Sequence, residues 1–248
     1  MATPASFDNP YPSAQGPLAT GLATLAGTPE YVSTIDPQLR EIAGLAAARV
    51  GAAAFASITR LRGPFYITVA LSDEIARAID DAQYADDAGP CLEALQTGRP
   101  VGVPDIAATT MRWPGFHEEA PRLGLHASVS VPLHTARGGP VAVLNLYGRD
   151  QAAMAPLIAG ICSVQGYPLE EAAGPGHPAL TDEGGRELVA GYAEALAVRA
   201  RITRALTVIM TENRCTPDDA YVSLCIRAAQ AGTGLDEAAA ALIPPKAT

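Results

Sequence analysis

A cysteine, Cys91, lies at the start of a short helix predicted over residues 90–97. The positive end of a helix dipole lowers the pKa of a nearby thiol, so a cysteine in this position can act as a nucleophile. Free cysteine is also among the most buried residue types and often fills a small apolar site. We interpret Cys91 as a packed residue beside Leu92 and Leu95, because no second cysteine is close in sequence to resolve an oxidised thiol.

The other residues that could catalyse a reaction or bind a metal are not spaced for either task. The four cysteines form no CxxC pair and no Cys/His pattern typical of a zinc site. His117, His134 and His177 have no carboxylate or serine at a spacing that indicates a catalytic triad. Gly138-Gly139 indicates a turn, since no helix start follows it to bind a phosphate. The sequence predicts no catalytic residue, no metal site and no cofactor.

The composition is typical of a globular protein and argues against broad nonspecific binding to nucleic acids. Of the 248 residues, 48% are hydrophobic and 17% are charged, and the net charge is −9. An acidic surface repels phosphates, although a small local basic face is compatible with that charge. No apolar run approaches the roughly 20 residues that cross a bilayer, and the N-terminus has no secretory pattern. We expect a cytoplasmic protein that does not bind membranes.

Periodicity predicts an α+β domain followed by a region of helices only. Residues 1–30, rich in small and turn-forming residues, predict a flexible tail. Residues 166–185 predict an irregular insertion or linker. The predicted strands cover residues 53–61, 65–71, 101–103, 126–133 and 140–147. The predicted helices cover residues 37–50, 73–84, 90–97, 150–165, 182–213, 217–232 and 235–243, with a further short helix within 111–125.

Two groups of side chains are candidates for a ligand pocket. Trp113 and Phe116 lie in a predicted loop, where aromatic residues either cover a pocket or close the core. His126, Ser128 and Ser130 alternate with apolar residues along one strand and so share one polar face. That face either lines a pocket or contacts solvent, and we favour solvent because antiparallel sheets often have one wet side.

Several motifs, in order, resemble a GAF domain, in particular the GAF domains joined to ANTAR domains in bacterial antiterminators. The resemblance covers roughly residues 36–200, and the sensor domain itself is expected over 31–198. It implies a six-stranded antiparallel sheet with helices on both sides, and a pocket on one face that senses small molecules in some members. The motifs are "ALSDEIARAIDDAQYADDAGPCLEALQTGRPVGVPDI" (70–106), "RWPGF" (112–116), "SVSVPL" (128–133) and "GPVAVLNLYGRD" (139–150). The candidate pocket residues are Cys91, Trp113, Phe116, His126, Ser128 and Ser130.

Residues 199–248 resemble an ANTAR module, a three-helix RNA-binding unit. "CTPDDAY" (215–221) matches the start of its second helix and "LDEAAAALI" (235–243) resembles its third. The first helix reads "ALTVIM" (205–210), without the lysine and the glycine that the family carries there. Two family positions before the third helix, an asparagine and a lysine, are glycines in this chain. Each lost cation weakens phosphate binding, so these departures weaken the prediction of RNA binding.

The arginines of this region are the candidates for phosphate contacts. Residues 199–243 contain five arginines and five acids, so the region is close to neutral. Arg201 and Arg204, with Arg214 beyond the helix end, are expected to share a face. The predicted RNA-binding residues are Arg201, Arg204, Arg214 and Arg227.

The long helix 182–213 carries an apolar heptad repeat. A repeat of seven is typical of helices that dimerise, and small residues allow helices to approach closely. The alternative is an ordinary amphipathic helix that packs on its own domain. We favour a homodimer, partly because related sensor domains commonly dimerise. The residues of the repeat are Leu188, Ala195, Ile202 and Ile209, with Gly191, Val198 and Ala205 three places further on.

The leading hypothesis is a signal-responsive antitermination regulator and not an enzyme. The GAF domain, by sensing a small molecule or by dimerising, would control an ANTAR module that binds paired RNA hairpins. A second hypothesis is a ligand-sensing or protein-interaction dimer whose ANTAR module no longer binds RNA. A third, a GAF-type thiol reductase that uses Cys91, is the least supported, since such enzymes need cysteines that resolve one another.

Overall fold

Helices enclose one antiparallel sheet in the first part of the chain, and helices alone form the last part. The computed structural model describes residues 16–30, 32–108, 112–166 and 182–243. Within these ranges the strands are β1 (Phe55–Arg62), β2 (Phe65–Leu71), β3 (Val101–Val103), β4 (Ala127–His134) and β5 (Pro140–Gly148). The helices there are α1 (Pro17–Gly27), α2 (Ile35–Arg49), α3 (Glu74–Ala85), α4 (Pro90–Thr97), α5 (Pro114–Arg122), α6 (Gln151–Val164), α7 (Glu183–Asn213), α8 (Pro217–Ala231) and α9 (Leu235–Leu242). The predicted α+β class is confirmed.

The strands form a sheet in the order β2-β1-β5-β4-β3, and all neighbouring strands are antiparallel. The described residues contribute five strands to this sheet, whereas the resemblance implies six. The last strand in the order, β3, has only three residues and pairs with β4. Strand β5 lies at the centre, which gives its residues two neighbouring strands to contact.

The alternation of side chains gives the sheet two different faces. On one face Ile58 lies opposite Leu144, which lies opposite Val131. These residues are fully buried in the largest apolar cluster of the chain, which also takes residues from α1, α2, α6 and α7. Helices α3, α4 and α5 cover the other face, where the residues of β1, β4 and β5 are largely polar.

The N-terminal region contains a helix, so the prediction of a flexible tail over 1–30 is wrong for its second half. Helix α1 buries Leu18, Leu22 and Leu25, which recur at helical spacing on one face. Alanine, glycine and threonine between these leucines conceal the pattern in the sequence. Residues 1–15, the rest of the predicted tail, lie outside the described ranges.

Helix α1 is held on α7 by close packing and by a carboxylate at its first turn. Glu187 accepts the backbone N–H of Leu18 at 2.6 Å and pairs with Arg49 of α2 at 2.6 Å. A negative charge at a helix N-terminus is favourable because the backbone N–H groups there have no partner within the helix. At Gly191 the helices lie so close that an added Cβ would come 2.6 Å from the Cα of Ala19.

Helix α7 runs for 31 residues from the sheet domain into the last part of the chain. The domain boundary predicted between residues 198 and 199 therefore falls inside a continuous helix. Asp182 caps its start by accepting the backbone N–H of Gly184 and Gly185. This start lies inside the predicted irregular insertion 166–185, so that prediction is wrong for residues 183–185, which are helical. Residues 167–181 of the insertion lie outside the described ranges.

The heptad repeat of α7 is used within the chain, so the expectation that α7 is a dimerisation helix is wrong. Its first part packs on α1 and α2, and its second part packs on α8 and α9. Since the repeat is covered by the chain's own helices, it is not available to a second copy. The residues of the repeat that are buried are Leu188, Gly191, Val198, Ile202, Ala205 and Ile209.

We call the second half of α7, with α8 and α9, the terminal module (residues 199–243). Its helices enclose a separate apolar cluster that contains Ile202, Leu224 and Leu235. Thr216 and Asp219 form a capping box at the start of α8, in which each side chain bonds the backbone N–H of the other. Ala26 of α1 and Ala136 of the β4–β5 turn also belong to this cluster, so the sheet domain completes the core of the module.

Candidate functional site

The polar face of the sheet encloses a carboxylate, Asp80 of α3, which is fully buried. Its Oδ1 accepts hydrogen bonds from Tyr147 at 2.6 Å and Ser57 at 3.0 Å, and its Oδ2 accepts one from Thr68 at 2.8 Å. These three partners are uncharged hydroxyl groups. Burial raises the pKa of Asp80 to about 6, because the hydrogen bonds from Tyr147, Thr68 and Ser57 offset only part of the cost of desolvation.

The hydrogen bonds continue from Asp80 along the strands. Asn145 donates to Ser57 at 3.2 Å and to Thr59 at 3.0 Å, and accepts from Ser130 at 2.9 Å. The hydroxyl of Tyr84 lies between Thr59, at 2.8 Å, and Thr68. The polar face is therefore occupied by the protein's own hydrogen-bonding groups, which we call the Asp80 network.

Sequence reasoning missed Asp80, although the sequence carries a signal for it. Residues 76, 79, 80 and 83 recur at the spacing of one helix face, and all four are buried. Asp80 and Gln83 are the polar members of that face. A carboxylate on the buried side of an amphipathic helix needs hydrogen-bond partners in the core, so this pattern alone indicates a buried polar cluster.

Cys91 lies at the edge of the Asp80 network and is fully buried. Its backbone N–H donates to Oε1 of Gln83 at 3.0 Å, while the amide of Gln83 donates to Tyr147 at 3.2 Å. Burial raises the pKa of the Cys91 thiol well above its usual range, and the nearby Asp80 adds to the shift. A neutral, buried thiol is a poor nucleophile, which supports the interpretation of Cys91 as a packing residue.

The predicted aromatic pair lies at the start of α5, over the same face of the sheet. Trp113 begins the helix in the left-handed conformation, with φ of 58°, and its ring meets that of Phe116 edge-on at 6.3 Å. Phe116 is fully buried, and the guanidinium of Arg112 lies 4.6 Å from the centre of the Trp113 ring. Both aromatic residues belong to a cluster with Ile106 and Leu125 and close the core.

The three polar residues predicted to share one strand face do not stay together. Ser128 and Ser130 are buried, so the prediction of a solvated face is wrong. Helices α3 to α5 cover that side, which excludes water. His126 precedes β4 and is exposed in an open groove beside Arg149 and Asp150. Among the described residues the Oγ of Ser128 has no hydrogen-bond partner.

In the terminal module, Arg201 is engaged by two carboxylates. Its Nε lies 2.6 Å from Oδ1 of Asp236 on α9, and its Nη2 lies 2.8 Å from Oδ2 of the same group. Nη2 also lies 2.9 Å from Glu194, and the side chain is 28% exposed. These hydrogen bonds, that to Asp236 first, raise the pKa of Arg201. Arg201 therefore joins α7 to α9 and is not presented to a phosphate in this structure.

The other three arginines predicted to bind RNA are exposed. Arg204 lies on α7, on the side away from the apolar cluster. Arg214 ends α7 in the left-handed conformation, with φ of 51°. Ten residues of helix separate the two along α7, or about 15 Å. Arg227 lies on α8, where it lines a groove with the exposed side chains of Val222 and Ile226.

The β4–β5 turn of the sheet domain contacts the start of α8. Arg137 pairs with Asp218, and its guanidinium lies 5.2 Å from the centre of the Tyr221 ring. Arg199 of α7 donates a hydrogen bond to the carbonyl of Gly138. These contacts join groups more than 60 residues apart in sequence, and no local pattern could have predicted them. They place a loop of the sheet domain directly on the terminal module.

Comparison with known families agrees with this division of the chain. The GAF domain family matches residues 35–158, and the ANTAR domain family matches residues 190–243. The chain belongs to the GAF–ANTAR family. At the family level it joins a sensor domain to an RNA-binding module of transcription antitermination. Both domains are regulatory rather than catalytic types.

Other comparisons add little to the family assignment. No curated protein matches the chain. Among solved structures, the chain is similar to the GAF domain region of a protein from Geobacter sulfurreducens PCA, with 14% identity and a TM-score of 0.38. That match covers 66% of this chain and 93% of the other. In the described part of the chain, no helix combines the length and the apolar character that a membrane span requires.

Proposed function

We propose that this GAF–ANTAR protein is a signal-responsive antitermination regulator in the cytoplasm, whose ANTAR module binds paired RNA hairpins. The match of residues 190–243 to the ANTAR family carries the proposal. Binding requires no covalent chemistry. It would stabilise a transcript structure that competes with the terminator.

Arg204 and Arg214 would make the phosphate contacts. Both side chains are exposed and lie about three helical turns apart, a spacing at which they can reach different phosphates of one folded transcript. Residues 190–243 contain five arginines and six carboxylates. The module as a whole therefore does not attract phosphates, and affinity depends on these few local contacts.

The junction between the domains would carry the signal to the ANTAR module. Arg137 and Gly138 of the GAF domain touch α8 and α7, and α7 itself is shared by both domains. A change in the GAF domain that moved the β4–β5 turn would change the position of α8 relative to α7. A small-molecule trigger on the covered face of the sheet would compete with the hydrogen bonds among Ser130, Asn145 and Asp80.

Binding of the full chain to a two-hairpin RNA, measured over a salt series, tests the proposal. R204A and R214A should each weaken binding to all sequences. Each should also reduce the slope of log K against log salt by about 0.9, the contribution of one phosphate contact. R40A is the matched control, because Arg40 is also an exposed arginine on a helix but lies on α2 of the GAF domain. If R40A and R204A weaken binding equally, the contacts are nonspecific and the proposal fails.

A second candidate function is a GAF–ANTAR protein that no longer binds RNA and acts through protein contacts. The engagement of Arg201 by Asp236 and Glu194 favours it, since the module then lacks a further cation. The same experiment decides between the two. Absence of binding to hairpin RNA even at low salt, where phosphate contacts are strongest, would favour this second function.

A further inference from the structure

Two large apolar side chains are exposed one turn apart on α8. Val222 is 56% exposed and Ile226 is 50% exposed. Both point away from the cluster that contains Leu224. They lie in an open groove of about 480 Å³ along this helix, whose other lining residues are Asp219, Ser223, Arg227 and Gln230. We call this side of the helix the α8 face.

We infer that the α8 face binds the α8 face of a second copy of this chain, with the two helices antiparallel. The heptad repeat of α7, the expected surface for self-association, is buried within the chain. Helix α7 therefore offers no apolar surface to a second copy, whereas α8 exposes one next to the ANTAR core. This inference gives Arg227 a role different from the RNA contact that the sequence predicts, and it does not depend on RNA binding.

The α8 face carries one negative and one positive side chain, so two copies of it can be complementary in charge. Asp219 lies in the first turn of α8 and Arg227 follows eight residues later, about 12 Å along the axis. When two such helices cross antiparallel near Ser223, each Asp219 faces the Arg227 of the other copy. The Oδ2 of Asp219 accepts the hydrogen bonds of Thr216, which leaves Oδ1 for the second arginine.

The centre of the face suits a close crossing. Ser223 is small, so the helix backbones can approach, and Val222 and Ile226 lie together on one side of it. One 15-residue helix against another covers less than the roughly 1,200 Å² at the lower end of a stable interface. The dimer should therefore be weak and should form only as the protein concentration rises.

Sedimentation velocity of the full chain without RNA, from about 2 to about 200 μM, tests the apolar part of the inference. The wild-type chain should change from monomer to dimer within this range. V222S/I226S should raise the dissociation constant at least about tenfold. The control L61S/F65S removes a comparable pair on the β1–β2 hairpin, where Leu61 is 47% and Phe65 is 70% exposed, and should leave it unchanged.

Charge exchange tests the antiparallel arrangement. R227D places like charges opposite Asp219, and D219R places like charges opposite Arg227, so each variant alone should be monomeric. An equimolar mixture should form a heterodimer, since both ends are then complementary. Recovery in the mixture also shows that D219R is folded despite the loss of its cap.

Three results would overturn the inference: a wild-type chain that is monomeric throughout, a V222S/I226S variant that dimerises like the wild type, or a charge-exchanged mixture that stays monomeric. R204A/R214A separates this inference from the proposed function. It should lose RNA binding and keep the self-association of the wild-type chain.

Discussion

Arg201 and Asp236 form a two-point ion pair between α7 and α9, with the Nε–Oδ1 contact at 2.6 Å and the Nη2–Oδ2 contact at 2.8 Å. Paired contacts of this kind fix the orientation of the guanidinium plane. The same arginine is among those that the sequence predicts to bind RNA. The pair therefore links the packing of the ANTAR module to the number of cations that it can present.

Asp236→Asn should weaken the hold on Arg201, which then keeps only its contact with Glu194, and should strengthen RNA binding. The slope of log K against log salt should become steeper by up to about 0.9, the contribution of one phosphate contact. Stability should fall by no more than about 1 kcal/mol, since the pair is partly exposed and screened by solvent. Fluorescence anisotropy with a labelled hairpin RNA measures the slope.

Glu237→Gln is the matched control for this change. Glu237 lies in the same turn of α9 and is exposed, so its substitution removes the same charge without releasing Arg201. It should leave the slope unchanged. Equal slopes for the two variants would mean that Arg201 contributes nothing when released.

Asp80→Asn should gain stability relative to the wild-type chain as the pH rises towards neutrality. Since the folded-state pKa of Asp80, about 6, is above its ordinary value of 3.8, the folded chain binds more protons between these values. The contribution of Asp80 to the free energy of unfolding of the wild-type chain therefore falls as pH rises through about 4 to 6. The difference in unfolding free energy, variant minus wild type, should grow by about 2 kcal/mol between about pH 4.5 and 7.

Urea unfolding at several pH values measures this difference, and Asp81→Asn is the control because Asp81 is exposed on the same helix. His134 makes the comparison with wild type necessary. Burial, and then the charge of Arg199, lower the pKa of His134 to about 3, so its contribution to stability rises with pH between about 3 and 6.5. A constant difference between Asp80→Asn and wild type would show that Asp80 is not the titrating group.

Gly191→Ala should destabilise the chain by about 1 to 3 kcal/mol, because the added methyl group meets the backbone of α1. Gly44→Ala should have the opposite effect. Gly44 lies in α2 with nothing within 4 Å of the added Cβ, and alanine there stabilises a helix by about 0.5 to 1 kcal/mol. Thermal or urea unfolding compares the two. Similar effects of both substitutions would contradict the close contact between α1 and α7.

Arg137→Ala should loosen the start of α8 without unfolding the chain. It removes the ion pair with Asp218 and the contact with the Tyr221 ring. Hydrogen exchange of the backbone amides in the first turns of α8 should become faster, because these turns then open locally without having to break the two contacts. Arg122→Ala is the control, since Arg122 pairs only with residues of its own helix, Glu118 and Glu119, among the described contacts. Unchanged exchange in α8 would mean that the junction does not restrain it.

The sequence predicts those features that depend on neighbours in the chain. Alternation in β4 predicts a strand, Gly98 ends α4 in the left-handed conformation with φ of 67°, and Thr216 caps α8. Helix α1 was missed because its leucines are separated by small residues that lower the contrast between its faces. Local patterns therefore predicted most of the helices and strands, but not α1.

The candidate sites were less predictable because they depend on contacts distant in sequence. Asp80 receives hydrogen bonds from Ser57 and Tyr147, which lie 23 and 67 residues away. Arg201 meets Asp236 across 35 residues. Whether a serine faces water or a carboxylate, and whether an arginine is free or paired, is decided by which helix covers which face.

Because α7 runs without a break from the GAF domain into the ANTAR module, the number of residues in this helix determines how the two domains are oriented. Each residue of an α-helix turns the chain by about 100° and advances it by about 1.5 Å. Inserting a single residue between Tyr192 and Val198 would rotate the ANTAR module by that angle relative to the GAF domain, and would separate Arg137 from Asp218. An insertion of seven would nearly restore the rotation but displace the module by about 10 Å. The spacing between the two domains, and not their sequences alone, thus determines whether the β4–β5 turn can reach α8.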